Sequence, residues 1–253
     1  MQEEVIVDIQ NFKKSFGARV IHKSVNLQIR RGECLGLLGG SGAGKSVILR
    51  SLIGLEKPDS GKIMIGKVDI TQLNERELIP IRKMIAYVFQ GGALFDSMSV
   101  FDNLAYPLRE HTTLNESEIE NKIIKLLKDF GLEGCESLLP ANLSGGMQKR
   151  VGLARAIILE PSVVLYDEPT AGLDPYNTKR IQEMILKLKS EGTSSMLVTH
   201  DMPTAFAVCD RIALLLDGSI YAVIPTKQLA ELRSEKPNAQ NIRMTQFIDG
   251  DEA

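Results

Sequence analysis

The sequence predicts an α/β fold in which a mixed, largely parallel sheet is preceded by an N-terminal antiparallel β layer and interrupted by an inserted helical lobe. Three patterns support this prediction. Apolar and polar residues alternate from Val5 to Ile9 and again from Val25 to Ile29, as in half-exposed antiparallel strands. Cys34 to Leu38 and Val163 to Tyr166 are continuously apolar, as in buried parallel strands. Between residues 91 and 160, apolar residues recur at helical spacing instead.

Composition and charge are those of an ordinary globular protein. The chain has 253 residues, of which 43% are apolar and 25% charged, and its formal net charge of −2 offers no positive field to nucleic acid, so we expect no nucleic-acid partner. No apolar run approaches the ~18 residues that cross a bilayer, and the acidic start is not expected to be a secretory signal. A membrane role would therefore require a partner protein. The cysteines lack metal-binding spacing and are expected to be buried: Cys34, Cys135 and Cys209.

The order of these patterns predicts one discontinuous core domain with two additions. Residues 1–90 and 161–233 are expected to form the α/β core, residues 91–160 the helical lobe, and residues 234–253 a C-terminal tail. Inside the lobe, Gly131 is the expected stop of a helix. The apolar face of that helix comprises Ile119, Ile123, Leu127 and Phe130.

Turn residues and apolar runs predict the remaining elements of the core. A hairpin on a type I′ turn is expected at Asp217-Gly218. The other expected elements are strands at 62–65, 85–89 and 196–199 and helices at 45–53 and 177–189.

A glycine-rich segment lies between a predicted strand and a predicted helix. Its sequence, Gly39-Gly40-Ser41-Gly42-Ala43-Gly44-Lys45-Ser46, fits the pattern G-x-x-x-x-G-K-[ST]. Glycines let the backbone curl so that successive N–H groups and the helix N-terminus face phosphate oxygens. Lys45 is expected to contact the β- and γ-phosphates of a nucleotide, and the Ser46 hydroxyl to ligate Mg²⁺. The alternative is a glycine-rich turn with a chance lysine, but the strand before and the helix after favour the phosphate-binding loop of a P-loop NTPase core.

Two acidic residues follow the apolar run that ends at residue 166. Such a strand delivers Asp167 and Glu168 to the carboxyl edge of the sheet, where α/β proteins bind their ligands. Asp167 suits the Mg²⁺ shell, which usually retains several waters. Glu168 suits the attacking water as general base or orienting group, a role worth roughly 10²–10⁴ in rate. In isolation, two solvated acids would be the simpler interpretation; beside a phosphate loop they predict a hydrolytic site.

A second helix start also carries glycines. Leu143-Ser144-Gly145-Gly146-Met147-Gln148 places Ser144 at the N-cap, and its two glycines leave neighbouring backbone N–H groups accessible. Such a helix start can bind an anion. An ordinary capped helix with glycines for close packing is the alternative, and the motif by itself favours that alternative.

Three further residues are candidate contacts with a nucleotide. His200 follows the predicted strand 196–199, so it is expected near the γ-phosphate at the same sheet edge as Asp167. Gln90 follows the strand at 85–89, where its amide could reach Mg²⁺ or the attacking water. Phe16 lies in the antiparallel layer and could stack on adenine. Each has a structural alternative, namely a polar residue at a strand exit or a core phenylalanine.

These motifs, in this order, resemble the ABC ATPase family over nearly the whole chain. Within that family, Gln90 corresponds to the Q-loop, Leu-Ser-Gly-Gly to the signature, and the segment ending at Asp174 to the D-loop. The resemblance implies that two copies face head to tail and that the phosphate loop of one copy and the signature of the other enclose one ATP. It also implies that Asp174 lies at the seam between them. The departures from the family pattern are Gly40, Met147 and Ala171, where proline, glutamine and serine are common.

The segment after Gln90 resembles the lipid-transport branch of this family, the ATPases of Mla-type and mammalian-cell-entry systems. Its apolar residues predict a groove for a helix of a membrane subunit, although several also fit the core of the lobe. The Leu-Ser-Gly-Gly-Met signature and Gln246 to Gly250 fit that branch too. The apolar residues of the segment are Leu94, Phe95, Met98, Phe101 and Tyr106.

That resemblance implies the setting in which the chain works. It implies an ATPase with ATP and Mg²⁺ as cofactors, at the cytoplasmic face of a bacterial inner membrane and bound peripherally. The implied partners are a second copy of the chain, an integral permease dimer and a periplasmic lipid-binding entry-type protein. The implied cargo is phospholipid.

Two other functions stay open. The first is the ATPase of an amino-acid or small-solute importer, against which the segment 91–110 argues. The second, from a different class, is a non-transport ABC ATPase switch in translation or DNA maintenance. Such switches usually carry tandem ATPase domains, a long coiled coil or basic arms, whereas this chain has one set of motifs and no net positive charge.

Overall fold

A computed structural model describes residues 4–232 of the chain. This part contains ten β-strands, eight α-helices and one 3₁₀-helix, at Pro140–Asn142. The tail predicted at 234–253 lies outside the described residues. The strands are β1 (Val5–Phe16), β2 (Arg19–Arg30), β3 (Cys34–Leu38), β4 (Ser60–Ile65), β5 (Val68–Asp69), β6 (Ile85–Val88), β7 (Val163–Asp167), β8 (Ser194–Val198), β9 (Arg211–Leu216) and β10 (Ser219–Pro225). The helices are α1 (Lys45–Leu52), α2 (Glu75–Met84), α3 (Val100–His111), α4 (Glu116–Asp129), α5 (Gly145–Ile157), α6 (Pro175–Ser190), α7 (Met202–Val208) and α8 (Thr226–Leu232).

The strands of this part join in one mixed sheet, in the order β5-β4-β1-β2-β10-β9-β3-β8-β7-β6. The half formed by β9, β3, β8, β7 and β6 is parallel, and β10 is antiparallel to β9. The half formed by β5, β4, β1 and β2 is antiparallel. The pairing of Ser219 with Ser24 joins the two halves. The predicted α/β fold with its N-terminal antiparallel layer is therefore confirmed, and the carboxyl ends of β3, β6, β7 and β8 share one edge.

Burial along each strand follows its sequence pattern. β3 and β8 are buried throughout, and β7 is buried up to its last residue, Asp167. In β2, Val25, Leu27 and Ile29 are buried while the residues between them are exposed. His22 interrupts this pattern, because it is polar and fully buried in the same strand.

The helices α3, α4 and α5 pack on one another and on the sheet. Gly131 has a positive φ of 60° just beyond α4, where it ends the helix as predicted. The buried face of α4 belongs to the same apolar cluster as Val164 and Leu197 of the sheet. Because this core is continuous between helices and sheet, the division into a core domain and a lobe stays a prediction. The residues of that face are Ile119, Ile123 and Leu127, followed by Phe130.

Local details agree with the sequence to within one or two residues. The turn at Asp217-Gly218 has φ of 48° and 76°, as a type I′ turn requires, and it joins β9 to β10. β6 ends one residue earlier than predicted and β8 ends at Val198, so Gln90 and His200 each stand two residues beyond a strand. Within residues 4–232, no helix is both long and apolar enough to span a bilayer. The three cysteines are buried and free, as predicted.

Candidate functional site

The glycine-rich loop between β3 and α1 encloses the ammonium group of its own lysine. Lys45 Nζ donates to the Gly39 carbonyl at 2.6 Å and to the Gly40 carbonyl at 2.9 Å. Gly44 is the N-cap of α1, with φ 93°, and its carbonyl accepts from the N–H groups of Val47 and Ile48. The loop therefore places one cation and the free N–H groups of a helix start together, which suits binding of phosphate.

Ser46 and Asp167 meet at the carboxyl edge of the sheet. Ser46 Oγ donates to Asp167 Oδ1 at 3.0 Å, although the two residues are far apart in sequence. The hydroxyl and the carboxylate form an oxygen donor set of the kind that Mg²⁺ prefers. Among residues 4–232, no three His, Cys, Asp or Glu side chains cluster as a metal site would need. These two groups therefore fit an ion that takes its other ligands from phosphates and water.

Tyr87 holds the second oxygen of this carboxylate, a contact that the sequence patterns did not reveal. Its hydroxyl donates to Asp167 Oδ2 at 2.7 Å. Burial, followed by the hydrogen bond and charge of Asp167, raises the pKa of the Tyr87 hydroxyl, so it stays a proton donor. The available signal was a single polar group within the otherwise apolar strand β6.

Glu168 leaves the strand in an unusual backbone conformation. Its φ is 51°, and its N–H donates to the Val198 carbonyl at 2.9 Å. The Glu168 carboxylate lies 2.9 Å from His200 Nδ1. The Glu168 side chain is 17% exposed, whereas the His200 side chain is 76% exposed. A positive φ is uncommon outside glycine and often marks a functional position. The structure thus brings together Glu168, predicted to act on the attacking water, and His200, predicted to lie near the γ-phosphate.

The charges of Lys45, Asp167 and Glu168 act on one another. Burial lowers the pKa of the Lys45 ammonium, and the carboxylates of Glu168 and then Asp167 oppose that shift. Lys149 of α5 is subject to the same balance, since burial lowers its pKa and Glu168 raises it. Lys149 Nζ also donates to the Ala171 carbonyl. Glu168 therefore acts on two partly buried cations, and Asp167 acts on Lys45.

Gln90 and Phe16 are both exposed. The register pairs Val88 with Tyr166, and Gln90 and Glu168 each follow two residues later, beyond the ends of their strands. Phe16 is 46% exposed, and Lys14 Nζ lies 4.9 Å from its ring centroid. Phe16 is therefore not a core residue, and the structural alternative for it was wrong. Its contact with adenine and the contacts of Gln90 with Mg²⁺ stay predictions.

The signature motif and the D-loop contact each other through Asn177. Ser144 caps α5 by accepting from the Met147 N–H at 3.3 Å. A side chain at Gly146 would lie 2.4 Å from Asn177 Cγ, so α5 and α6 approach closely there. Asn177 in turn donates from its N–H to Asp174 Oδ1 at 2.9 Å, and Asp174 is the N-cap of α6. Within residues 4–232, no hydrogen bond or ion pair joins Ser144, Gly145, Gly146 or Met147 to the phosphate loop.

The segment after Gln90 is organised by one fully buried side chain, Asn103. Its Oδ1 accepts from the Phe95 N–H at 2.9 Å and from Arg155 Nη1 at 3.2 Å. Its amide donates to the carbonyls of Phe95, Met98 and Ser99 at 3.0–3.1 Å. Asn103 and Arg155 were both missed at the sequence level, because the groups that they bind are mostly backbone atoms.

Replacing Asn103 with alanine is expected to destabilise the fold. A buried polar group left without a partner costs about 1–3 kcal/mol, and this change removes the partners of several, so we expect a loss of at least about 2 kcal/mol. Urea unfolding followed by circular dichroism measures the loss. Asn121, exposed on α4, is the matched control, and its alanine variant should stay within about 0.5 kcal/mol of wild type. Equal stability of the two variants would remove Asn103 from this role.

A groove of about 800 Å³ lies elsewhere, between α4, α6 and the start of β7. Its floor includes Phe130, Ile157 and Met184, and none of the predicted site residues lines it. The phosphate loop and the acid pair instead lie together at the open edge of the sheet.

The motif order and the fold both have close counterparts among known proteins. Residues 22–171 match the family model described as ABC transporter. A protein of Mycobacterium leprae named probable ribonucleotide transport ATP-binding protein mkl is 41% identical over 97% of this chain and 69% of its own length. The intermembrane phospholipid transport system ATP-binding protein MlaF of Haemophilus influenzae is 36% identical over 97% of this chain and 91% of its own length. MlaF of Escherichia coli strain K12 is 37% identical over 97% and 89%.

Solved structures show the same fold. The ATP-binding subunit of an ABC transporter has a TM-score of 0.81 and 27% identity, covering 96% of this chain and 99% of its own. A dimeric post-hydrolysis state of the ATP-binding cassette MJ0796, bound to ADP and Pi, has a TM-score of 0.81 and 32% identity, covering 87% and 98%.

Proposed function

Because this chain belongs to the ABC transporter family, in which it is an ATP-binding and ATP-hydrolysing subunit, we propose that it powers phospholipid transport in a bacterial envelope. The observation that carries the lipid assignment is the similarity to two MlaF proteins over 97% of the chain. The short contact between Ser46 and Asp167 supports the placement of ATP and Mg²⁺ at the sheet edge.

In the proposed site, the loop from Gly39 to Ser46 binds the phosphates of ATP and Phe16 stacks on adenine. Lys45 would exchange its two carbonyl partners for the β- and γ-phosphates, since its ammonium already lies inside the loop. Ser46, Asp167 and Gln90 would hold Mg²⁺, which supplies positive charge for the phosphate oxygens. Tyr87 keeps the Asp167 carboxylate oriented toward Ser46.

Hydrolysis is assigned to Glu168 and His200. Glu168 accepts or orients a proton of the attacking water, whose oxygen forms a bond to the γ-phosphorus. The bond between the γ-phosphorus and the β,γ-bridging oxygen breaks, which leaves ADP and inorganic phosphate. His200 Nδ1 lies 2.9 Å from Glu168 Oε2 and so holds that carboxylate in place. The other ring nitrogen of His200, on a side chain that is 76% exposed, would contact the γ-phosphate.

ATP-binding subunits of this family work as dimers with membrane permeases, and one solved relative is itself a dimer. We assign the second surface of each ATP to Ser144, Gly145, Gly146 and Met147 of another copy. Asp174 would lie at the same seam, because Asn177 links it to Gly146. Membrane attachment would be peripheral, at the cytoplasmic face of the inner membrane, and a periplasmic lipid-binding entry-type protein would complete the system.

The permease would dock on the aromatic pair Phe95 and Tyr106. Both side chains are 43% exposed, and their ring centroids lie 5.4 Å apart. The other apolar residues of the segment, Leu94, Met98 and Phe101, are partly buried. The partly buried residues of this segment thus pack in the helical core, whereas the exposed pair Phe95 and Tyr106 is available for docking.

Docking is tested by purifying the chain with its membrane subunit from native membranes. The double variant Phe95→Ala, Tyr106→Ala should lose the membrane subunit while still binding ATP. Ile124→Ala is the matched control, because Ile124 is an exposed apolar residue on α4, outside the proposed surface. Retention of the membrane subunit by the double variant would place the docking surface elsewhere.

A second cargo has specific support, since the Mycobacterium leprae relative carries ribonucleotide transport in its name and is 41% identical. The purified complex in proteoliposomes should transfer fluorescent phospholipid in an ATP-dependent manner and should not transport labelled ribonucleotide. The Glu168→Gln complex is the inactive control. ATP-dependent ribonucleotide movement without lipid transfer would overturn the phospholipid assignment.

A further inference from the structure

His22 lies directly beneath the phosphate loop, outside every motif of the sequence. It belongs to β2, is fully buried, and its ring packs 5.4 Å from the ring of Phe12. Its Nε2 lies 3.1 Å from the carbonyl oxygen of Gly44. Because that oxygen only accepts, the ring must donate from Nε2–H.

The contact is so close that residue 44 has to be glycine. A side-chain carbon there would lie 2.4 Å from Ile21 Cγ2 and 2.6 Å from His22 Nε2. Gly44 also needs its positive φ of 93° to begin α1. The start of β2 and the end of the phosphate loop therefore form one tightly packed unit.

Burying the polar imidazole of His22 lowers the stability of the fold, whereas an apolar residue at this position would not. His22 Nδ1 has no hydrogen-bond partner among the described residues. Burial lowers the pKa of the imidazole, so the ring is neutral and one nitrogen is left unsatisfied. A leucine or phenylalanine would fill the space without that cost, but neither could donate to the loop.

The geometry of the peptide bond gives this hydrogen bond a consequence for the ligand. In a planar trans peptide the C=O and N–H groups point in opposite directions. The Gly44 carbonyl also accepts from the N–H groups of Val47 and Ile48 in α1, and the His22 bond is the contact that holds it from outside the helix. With the carbonyl held toward His22, the N–H of Lys45 points to the opposite side. That N–H belongs to the first turn of α1, whose free N–H groups face the phosphate position.

We propose that His22 is a positioning residue of the ATP site, which fixes the Gly44–Lys45 peptide so that the Lys45 N–H is oriented toward bound phosphate. This inference rests on the proposed binding of ATP by the phosphate loop. It adds a residue of β2 to the part of the site that binds the phosphates, which is formed by the loop and the sheet edge.

The test compares substitutions that separate the effect of the Nε2–H donor of His22 from the effect of its side-chain volume. His22→Phe keeps a ring and removes the donor, and it should bind ATP about three- to tenfold more weakly, with a thermal midpoint equal to or above wild type. His22→Gln retains an N–H at similar reach and should recover most of the affinity. ATP affinity is measured by titration of the full-length chain with a fluorescent ATP analogue, and KM and kcat are measured in parallel.

Two control variants separate a failure of the role of His22 from a failure of the proposed ATP site. Lys23→Ala, exposed on the same strand, should bind ATP as wild type does. If Lys45→Ala also binds normally, the proposed site itself fails. If Lys45→Ala loses binding while folded His22→Phe retains it, only the role of His22 is overturned.

If His22→Phe does not fold, the two polar variants His22→Asn and His22→Gln are compared instead. His22→Asn places its amide nearer the backbone than the Gly44 carbonyl requires, whereas His22→Gln can reach it. Lower affinity for the asparagine variant than for the glutamine variant supports the inference, and equal affinities overturn it.

Discussion

Replacing Glu168 with glutamine is expected to leave ATP binding intact and to slow hydrolysis by about 10²–10⁴-fold, the usual contribution of a general base. Glutamine has nearly the same size, but its amide cannot take a proton from water. Because ATP persists in this variant, two copies should stay joined around it. Steady-state phosphate release and light scattering with and without ATP measure the two effects.

Glu120→Gln is the matched control for this experiment. Glu120 is an exposed acid on α4, away from the sheet edge, and its variant should hydrolyse ATP at the wild-type rate. Wild-type turnover in Glu168→Gln would remove Glu168 from its assigned role. Loss of ATP binding in that variant would instead mean that the carboxylate supports the loop, through its charge on Lys45.

Replacing Lys45 with alanine is expected to abolish most ATP binding. A hydrogen bond to a charged partner contributes about 1.5–3 kcal/mol, which corresponds to a roughly 10- to 150-fold loss of affinity. The variant should fold, because removing a half-buried ammonium leaves only the Gly39 and Gly40 carbonyls without that partner. Equilibrium titration with ATP measures the loss.

Lys62→Ala serves as the control for charge, since Lys62 is an exposed lysine of β4. Its affinity for ATP should equal that of wild type. Unchanged binding by Lys45→Ala would contradict the phosphate-loop assignment as a whole. The two main predictions differ in the step that is lost. Glu168→Gln should bind ATP without hydrolysing it, whereas Lys45→Ala should lose most ATP binding.

The sequence alone was sufficient wherever the decisive interactions are local or follow from strand order. The type I′ turn at Asp217-Gly218, the cap at Ser144 and the stop at Gly131 involve only residues close together in the chain. Ser46 and Asp167 were also foreseen to meet, although they are distant in the chain, because parallel strands end at one edge. The order of the motifs along the chain then carried the resemblance to the family.

A local cap at the start of α3 is modified by its surroundings. Ser99 and Asp102 have the spacing of a capping box, and the Asp102 N–H donates to Ser99 Oγ at 3.0 Å. However, the Asp102 carboxylate accepts from the Ser99 hydroxyl at 2.7 Å rather than from its backbone N–H. The Ser99 carbonyl also binds Asn103, so tertiary contacts compete with the local motif.

What the sequence by itself determined is therefore the fold class, the phosphate loop, the acid pair and the helix starts, since periodicity, turn chemistry and strand order encode them. Only the tertiary structure showed that Tyr87 holds Asp167, that His22 supports Gly44 and that Asn177 joins the D-loop to the signature. Each of these contacts pairs side chains or backbone groups from different elements. Such pairings depend on sheet order and helix packing, and no spacing along the chain records them.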